Sequence, residues 1–330
     1  MSEQPAADPA HAGPTKLPRG AWKGAARRAV KEFSEDSVSD WAAALTYYGI
    51  LSIFPGLLVV VSILGLLGGG TVTAVKNEIA STLPGSVGDF LNTAIDQVAG
   101  NASLASVGAV IGVLVAFWSA SGYVSAFMRA SNAIYDVPEG RPVWKTLPVR
   151  VAVTAAVGLI LIACCLIVVF TGRFAESIGR ALGVGGAAVT AWNIAKWPVL
   201  VILVSLMFSI LYWASPNARH GRFRWVTPGG VVAVLLWIVL SGLFAVYLTN
   251  FGSYNKTYGT VAGIIVFLVW LMLSNMAILL GAEFDAELER SRAIAGGLPP
   301  DQEPYLELRD DRKLKKGSER GLAPPDGRTA

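Results

Sequence analysis

Residues 254–284 read YNKTYGTVAGIIVFLVWLMLSNMAILLGAEF, and this stretch decides the class of fold. After Lys256 it contains no Asp, Glu, Lys or Arg until Glu283. A helix needs about 20 mainly apolar residues to cross the hydrocarbon core of a bilayer, and this run is long enough. The stretch therefore predicts a transmembrane helix with its core at about 261–282.

Five other parts of the chain share this lack of charge, and each is long enough for a further spanning helix. The whole sequence is 53% hydrophobic and only 15% charged, which lies outside the usual range of soluble globular proteins. We therefore predict an all-α polytopic membrane protein with six transmembrane helices. Their cores lie at about 42–67, 104–126, 150–171, 195–214, 228–249 and 261–282.

Lysine and arginine are unevenly distributed among the connections between these predicted helices. They are abundant before the first helix and after the second, fourth and sixth, whereas the other three connections contain only Lys76, Arg173, Arg180 and Lys256. Because positively charged segments stay on the cytoplasmic side, this bias predicts an N-in/C-in topology. The formal net charge of +4 follows from the same bias, so we expect no nucleic-acid partner.

The segments outside the spans differ in composition from the membrane domain, which we place at 41–292. Residues 1–20 and 293–330 have no periodic apolar pattern, so we predict a disordered N-terminal tail and a disordered, charged cytoplasmic tail. Residues 21–40 have apolar side chains on one side and basic side chains on another, which predicts an interfacial amphipathic helix on the inner leaflet.

Two segments are predicted to lie on the outer face. Residues 68–103 contain two stretches of helical periodicity separated by Pro84 and Gly85, which predicts a helical hairpin between the first two spans. The connection between the last two spans is predicted to be a turn anchored at headgroup level, and a gate or ligand contact is the alternative. The residues of this outer-face turn are Tyr254, Asn255, Lys256 and Tyr258.

Polar residues recur at one depth in the first, second and sixth predicted helices. A polar side chain exposed to lipid is costly, so each should face the bundle interior, a partner or water. We therefore predict a polar vestibule in the inner half of the membrane, in which Arg129 pairs with Glu283; the alternative is ordinary helix packing and interfacial anchoring. The candidate residues are Tyr48, Ser52, Pro55, Ser121, Ser125, Arg129, Asn132, Asn275 and Glu283.

The sequence offers little for catalysis. Its two histidines are His11, in the predicted N-terminal tail, and His220, in a basic connection. There is no cluster of metal ligands, no phosphate-binding glycine-rich loop with its lysine and no nucleophile elbow, so we predict neither a cofactor nor an enzyme. The closely spaced acids after the last span are interpreted as a solvated helix face, and they are Glu283, Asp285, Glu287 and Glu289.

Three long blocks of this sequence resemble the YihY/BrkB family of bacterial inner-membrane proteins. They are ALTYYGILSIFPGLLVVVSILGLLG at 44–68, WSASGYVSAFMRASNAIYDVPEGRPVWK at 118–145, and the block that starts at YNKTYG and ends at ELER, 254–290. The resemblance extends over about residues 25–290. It implies a multi-pass protein of the bacterial cytoplasmic (inner) membrane. Members of the family have been linked to virulence and to handling of envelope lipids, and they have often been labelled ribonuclease BN.

Three functional hypotheses follow from the residues and the resemblance together. The first is transport or lipid handling, in which an amphiphile or small solute enters the polar vestibule, and membrane lipids are the expected partners. The second is a non-catalytic scaffold that recruits envelope protein partners through the outer hairpin and the charged tail. The third is a tRNA-processing ribonuclease, and the missing metal or acid-base site argues against it.

Overall fold

The computed structural model describes residues 17, 19–66, 73, 76, 102–169, 186–221, 223–250, 254–300 and 302–319. Within these ranges the regular elements are α-helices, and the β pairing consists of one isolated antiparallel bridge between Ala218 and Leu308. The helices are α1 (Arg19–Glu35), α2 (Val38–Leu66), α3 (Ala102–Ile134), α4 (Val143–Val169), α5 (Gly186–Ala214), α6 (Pro228–Asn250), α7 (Tyr254–Ala295) and α8 (Arg312–Glu319).

The all-helical membrane architecture predicted from sequence is confirmed. Among the described residues, five helical segments are long and apolar enough to cross a membrane, and they coincide with the second to sixth predicted spans. The segments are Gly112–Ile134, Val143–Val168, Thr190–Ala214, Pro228–Leu248 and Gly263–Ala295. The first predicted span falls on α2, whose second half lies outside the described side chains. The count of six and the N-in/C-in topology therefore stay predictions.

Small residues bring the long helices close together. Helix α2 packs along α3, α7 packs against α1, α2 and α6, and α4 contacts both α3 and α5. A Cβ on Gly122 of α3 would lie 3.0 Å from the ring of Tyr48 on α2. Gly229 of α6 and Gly281 of α7 approach so closely that a Cβ on either would meet the other's carbonyl oxygen. Such contacts are typical of membrane helices, whose association depends on close packing because lipid gives no hydrophobic driving force.

Helix α7 is longer than predicted at both ends. It contains 42 residues, which at 1.5 Å per residue is about 60 Å, twice the roughly 30 Å of bilayer hydrocarbon. Its first residue is Tyr254, so Asn255, Lys256 and Tyr258 belong to its first turns rather than to a connecting turn. The side chains of 254–262 lie outside the described part of the chain. Their predicted role at headgroup level therefore stays a prediction.

Helix α1 corresponds to the predicted interfacial helix, but it ends at Glu35 instead of continuing to 40. Ser37 has a φ of +52° and separates α1 from α2. On one side α1 packs against the last turns of α7: Ala25 and Ala29 are buried, and the rings of Trp22 and Phe284 lie 6.1 Å apart. The other side carries the exposed residues Lys23, Arg27 and Lys31, as the sequence predicted.

The predicted disorder of 293–330 does not hold for the part of this segment that the structure describes. Helix α7 continues to Ala295, and residues 302–319 pack against the rest of the protein. Tyr305 is buried, and Leu308 pairs with Ala218. Apolar anchors and backbone pairing thus order a segment that its many charges had suggested was free.

Several predicted segments lie outside the described residues. They are most of the N-terminal tail, the outer hairpin at 68–103 apart from Thr73, Lys76, Ala102 and Ser103, and the last residues of the predicted C-terminal tail.

The connections 135–142 and 215–227 meet α1 and residues 296–315 at one end of the bundle. Lys313 N donates to Gly140 O at 2.9 Å, and Arg309 N donates to Asn217 O at 2.8 Å. We call this end, formed by these four segments, the capped end. Most of the buried apolar core lies next to it, in the adjoining parts of α2, α3, α5 and α7.

Candidate functional site

Asn275 of α7 joins three helices through hydrogen bonds in the bundle interior. Its Nδ2 donates to Thr46 Oγ1 of α2 at 3.0 Å, and its Oδ1 accepts from Tyr123 Oη of α3 at 2.9 Å. Asn275 and Thr46 are buried. The side-chain amide therefore uses both its donor and its acceptor on neighbouring spans, and we call Thr46, Tyr123 and Asn275 the central triad.

Glu283 lies two helical turns from Asn275 on α7 and is the most unusual polar group in the bundle. Its side chain is 1% exposed, and Oε2 has no hydrogen-bond partner among the described groups. Its charged neighbours from other segments are also acids, and they are Asp36, Glu32 and Asp136. A buried carboxylate with neither a donor nor a counter-charge on this oxygen is costly.

The predicted ion pair between Arg129 and Glu283 is not formed. Arg129 is exposed, and its Nη1 donates to Ser125 Oγ on its own helix at 3.1 Å. Ser121, one turn earlier, accepts from Arg150 Nε of α4 at 2.5 Å. The stripe of residues 121, 125 and 129 thus runs beside α4, whereas Glu283 lies near α1. Equal depth in the membrane was the basis of the prediction, and depth does not determine which way a helix face points.

The candidate residues of the first span do not join the central triad. Tyr48 packs on Gly122, and Ser52 Oγ donates to the carbonyl oxygen of Tyr48 at 2.7 Å. Pro55 lies within the helical backbone of α2, and its side chain is outside the described part of the chain. The polar contact of α2 with α7 comes instead from Thr46, which the sequence did not single out.

Asn132 belongs to a separate network at the capped end. Its Nδ2 donates to Glu139 Oε2 at 2.9 Å, and its Oδ1 accepts from the backbone N–H of Asn217 at 2.8 Å. Arg141, almost fully buried, donates to both oxygens of Glu139 and to Ser215 O. This network ties the connection after α3 to the connection after α5.

The acids after Glu283 were predicted to form a solvated face, and this prediction was wrong. Glu287 is buried and pairs with Arg28 of α1. Asp285 is buried and accepts from the backbone N–H of Gly229 at 2.7 Å. The reason is that α1 and the first turn of α6 cover this part of α7, and a helix docked from a distant part of the sequence leaves no local signal.

His220 also lies in a different setting from the open basic connection that was predicted. Its side chain is 5% exposed, its Nδ1 lies 2.8 Å from Glu289 Oε2, and its Nε2 is buried without a partner. The ring of Tyr135 meets the imidazole edge-on at 4.8 Å. An isolated histidine has no spacing pattern, so the sequence could not have revealed this pair. Within the described ranges no three His, Cys, Asp or Glu side chains could hold a metal ion.

Two carboxyl groups outside the spans have strongly shifted pKa values. Burial, assisted by the nearby carboxyl of Asp136, raises the pKa of Asp36 to about 7. Asp310 shows the opposite effect, because hydrogen bonds from Arg312 and Lys145 hold the pKa of its carboxyl below the usual range. The capped end therefore has one carboxyl that titrates near neutral pH and one that stays ionised.

The predicted single vestibule is thus resolved into three polar groupings. The central triad and Glu283 lie along one side of α7 inside the bundle. Ser121, Ser125, Arg129 and Arg150 lie between α3 and α4, and Asn132 belongs to the capped end.

The sequence was compared with family models, curated proteins and solved structures. A model of the family described as virulence factor BrkB matches residues 29–305. The ribonuclease-like protein YfkH of Bacillus subtilis is 30% identical over 264 residues, which cover 80% of this chain and 93% of the relative. A UPF0761 membrane protein of Alteromonas mediterranea is 27% identical over 273 residues, or 78% of this chain and 85% of the relative.

A UPF0761 membrane protein of Mannheimia succiniciproducens is 27% identical over 277 residues, which cover 80% of this chain and 89% of the relative. No solved structure matches the chain significantly. The family model covers most of the membrane bundle and reaches Tyr305 of the capped end. The chain therefore belongs to the virulence factor BrkB family of membrane proteins.

Proposed function

We propose that this protein transports or otherwise handles an amphiphile or small solute in the cytoplasmic membrane of a bacterium. The binding region is the interior surface of α7 between the central triad and Glu283. The substrate's polar group enters from the leaflet at the capped end and exchanges hydrogen bonds with Asn275 and Tyr123.

The observation that carries this proposal is the state of Glu283. A buried carboxyl in a membrane-spanning helix, with one oxygen unpartnered, lowers stability. Ionisable residues inside membrane bundles commonly mark the routes of substrates and ions. Further carboxyl groups lie near Glu283, and among the described residues the ion pairs in this part of α7 go to Glu287 and Glu289 instead.

The central triad supports the proposal by its position. It joins α2, α3 and α7 through hydrogen bonds between neutral side chains. Such bonds contribute only about 1 kcal/mol each in a membrane protein, so a substrate headgroup can replace them at small cost. A polar ligand between these helices would separate Asn275 from Thr46 or Tyr123 and engage the same donor and acceptor.

The test is a lipid-translocation assay with purified protein in liposomes. Fluorescently labelled phosphatidylglycerol is placed in both leaflets, and dithionite is added outside to quench the accessible label. A transporter of amphiphiles should expose label from the inner leaflet, and Glu283→Gln and Asn275→Leu should slow this exposure about tenfold or more. Glu35→Gln, the same change at an exposed acid of α1, is the matched control.

A wild-type protein that quenches no more label than empty liposomes, and that carries no solute in native mass spectrometry, would contradict the proposal. Equal translocation rates for wild type, Glu283→Gln and Asn275→Leu would contradict the assignment of the binding region to Glu283 and Asn275.

The two alternatives are not proposed. The scaffold hypothesis relied in part on a free charged tail, and residues 302–319 pack against the bundle. The word ribonuclease belongs to the name of a relative that is 30% identical. No arrangement of described residues specifically favours either activity over transport.

A further inference from the structure

Two arginines donate hydrogen bonds to neighbouring serines of α3, one from α3 itself and one from α4. Arg150 Nε of α4 donates to Ser121 Oγ at 2.5 Å, and Arg129 Nη1 donates to Ser125 Oγ at 3.1 Å. Ser121 and Ser125 are one turn apart on the same side of α3, so their side chains are roughly 6 Å apart. The two guanidinium groups thus contact serines that are one turn apart, and each keeps further N–H donors that the serines do not use.

These two arginines differ from most other described arginines because they have no carboxylate partner. Neither forms an ion pair with any described residue. Six other described arginines form an ion pair with an acid, and they are Arg28, Arg141, Arg219, Arg290, Arg292 and Arg312. Two guanidinium groups that contact one stretch of α3 without a counter-charge favour binding of an anion there.

The surroundings of the two arginines are apolar and open to the outside of the bundle. Both belong to membrane-spanning segments, near the ends that meet the capped end. Trp118, one turn from Ser121 on the same side of α3, is 77% exposed, and Leu147, one turn from Arg150 on α4, is 51% exposed. A surface with this composition faces lipid, so the anion must come from a molecule that also has an apolar part.

We propose that Arg129 and Arg150 bind the phosphate group of an anionic membrane lipid in the groove between α3 and α4. Ser121 and Ser125 hold the guanidinium groups in place, so that their remaining N–H groups can donate to the phosphate oxygens. Arginine suits this role because its planar set of donors matches phosphate geometry and its charge persists at any physiological pH. The exposed side chains of Trp118 and Leu147 lie beside the acyl chains.

This inference names a phosphate-bearing lipid as the substrate class of the proposed function, and it rests on that function only for the transport step. The lipid would first bind at this lateral site and then reach the interior near Glu283. Binding itself is a separate property and can be measured without any transport.

The experiment measures lipid selection by native mass spectrometry. Wild type, Arg129→Gln, Arg150→Gln and the double variant are placed in nanodiscs with equal amounts of phosphatidylglycerol and phosphatidylcholine, and the lipids that stay bound after release are counted. Wild type should retain phosphatidylglycerol in preference to phosphatidylcholine. The double variant should reduce that preference about tenfold or more, which corresponds to about 1.4 kcal/mol, because it removes the charge-assisted hydrogen bonds of both arginines to the phosphate.

Arg27→Gln is the matched control, since Arg27 is an exposed arginine of α1 and the change in charge is the same. It should leave the preference unchanged. Arg129→Gln alone removes one exposed hydrogen bond, so it keeps the fold and should still reduce the preference severalfold. A separate arm adds soluble glycerol phosphate, which should not displace the lipid.

Three results would overturn the inference: equal retention of the two lipids by wild type, an equal loss in Arg27→Gln and in the double variant, or displacement of the lipid by glycerol phosphate. The last result would assign the site to a free phosphate. A wild type that translocates lipid but does not select phosphatidylglycerol would contradict this inference alone, whereas a wild type that selects phosphatidylglycerol but does not translocate it would contradict the proposed function alone.

Discussion

Asn217 and Asp310 hydrogen-bond to each other twice, although 93 residues separate them in the chain. Asn217 Nδ2 donates to Asp310 O at 2.9 Å, and Asp310 N donates to Asn217 Oδ1 at 3.2 Å. The same side chain also donates to Pro138 O at 3.0 Å. One fully buried amide therefore joins the connection after α3, the connection after α5 and the C-terminal segment.

Asn217→Ala should release the C-terminal segment. The change removes three hydrogen bonds and leaves buried backbone groups without partners, so we expect the free energy of unfolding to fall by about 2–4 kcal/mol. Limited proteolysis should then cut within 302–319, where wild type resists. Gln302→Ala, a change at an exposed amide of the same segment, should have no effect. Equal resistance of Asn217→Ala and wild type would mean that other contacts suffice.

Glu283→Gln should preserve or raise stability while it impairs transport. The substitution replaces a buried carboxyl, whose Oε2 has no partner among the described groups, with a neutral amide of the same shape, so we expect the free energy of unfolding to be unchanged or higher by about 1 kcal/mol. Glu287→Gln, four residues later, breaks the ion pair with Arg28 and should lower the free energy of unfolding. We expect a loss of about 1–3 kcal/mol, since the Arg28 side of the pair is partly exposed. Thermal unfolding in detergent measures both. A large loss in Glu283→Gln would make this acid structural.

Asp36→Asn should stabilise the protein at alkaline pH. The folded-state pKa of Asp36, about 7, lies above the ordinary value of 3.8, so the folded protein holds the proton more tightly than the unfolded chain does. This contribution is complete below pH 4 and is lost as the pH rises through 7. We therefore expect the variant to gain about 1 kcal/mol over wild type at pH 8 and less at pH 5.5, allowing for solvent screening.

The measurement for Asp36→Asn is thermal unfolding at both pH values. Glu35→Gln is the control, because Lys31 lowers the pKa of the Glu35 carboxyl and its removal should act in the opposite direction. A pH-independent gain in Asp36→Asn would show that the effect does not come from titration.

Gly229→Ala should destabilise the contact between α6 and α7. A Cβ at this position would overlap the carbonyl oxygen of Gly281 and lie 2.6 Å from the carboxyl carbon of Asp285. Overpacking of this kind costs about 1–3 kcal/mol. Gly242→Ala on the same helix meets nothing within 4 Å and should instead gain up to about 1 kcal/mol. Denaturation in mixed micelles compares the two, and equal effects would contradict the close approach.

The spans could be predicted because membrane solvation acts on each segment separately. A charge-free interval such as 225–255 must be a helix in lipid whatever its neighbours are, and α6 lies there. The direction in which each side chain points within the bundle could not be predicted in this way. Arg129 and Glu283 were assigned to one cavity by depth, but Arg129 contacts its own helix and Glu283 lies near the acids around Asp36. Their partners, Ser125 and the segments around Asp36, depend on the rotation of each helix in the bundle.

The burial of the acids on α7 was beyond the sequence for a related reason. Glu287 is shielded by α1, whose Arg28 is 259 residues away in the chain. Alternating charges near the end of a helix are usually solvated, and only the docking of α1 overrides that tendency. His220 and Thr46 had no local signal either, since each obtains its role from a partner on another element.

The contacts of the C-terminal segment also determine the order in which the protein can be completed. Lys145 binds Asp310 across 165 residues, and α4, α5, α6 and α7 are all translated between them. During synthesis, the Asn217 side-chain amide and the Gly140 carbonyl oxygen therefore have no partner from the C-terminal segment until the ribosome has made residues 302–319. The end of the bundle that holds the connections together is the last to form, so membrane insertion and final closure are separate events in the biogenesis of this protein.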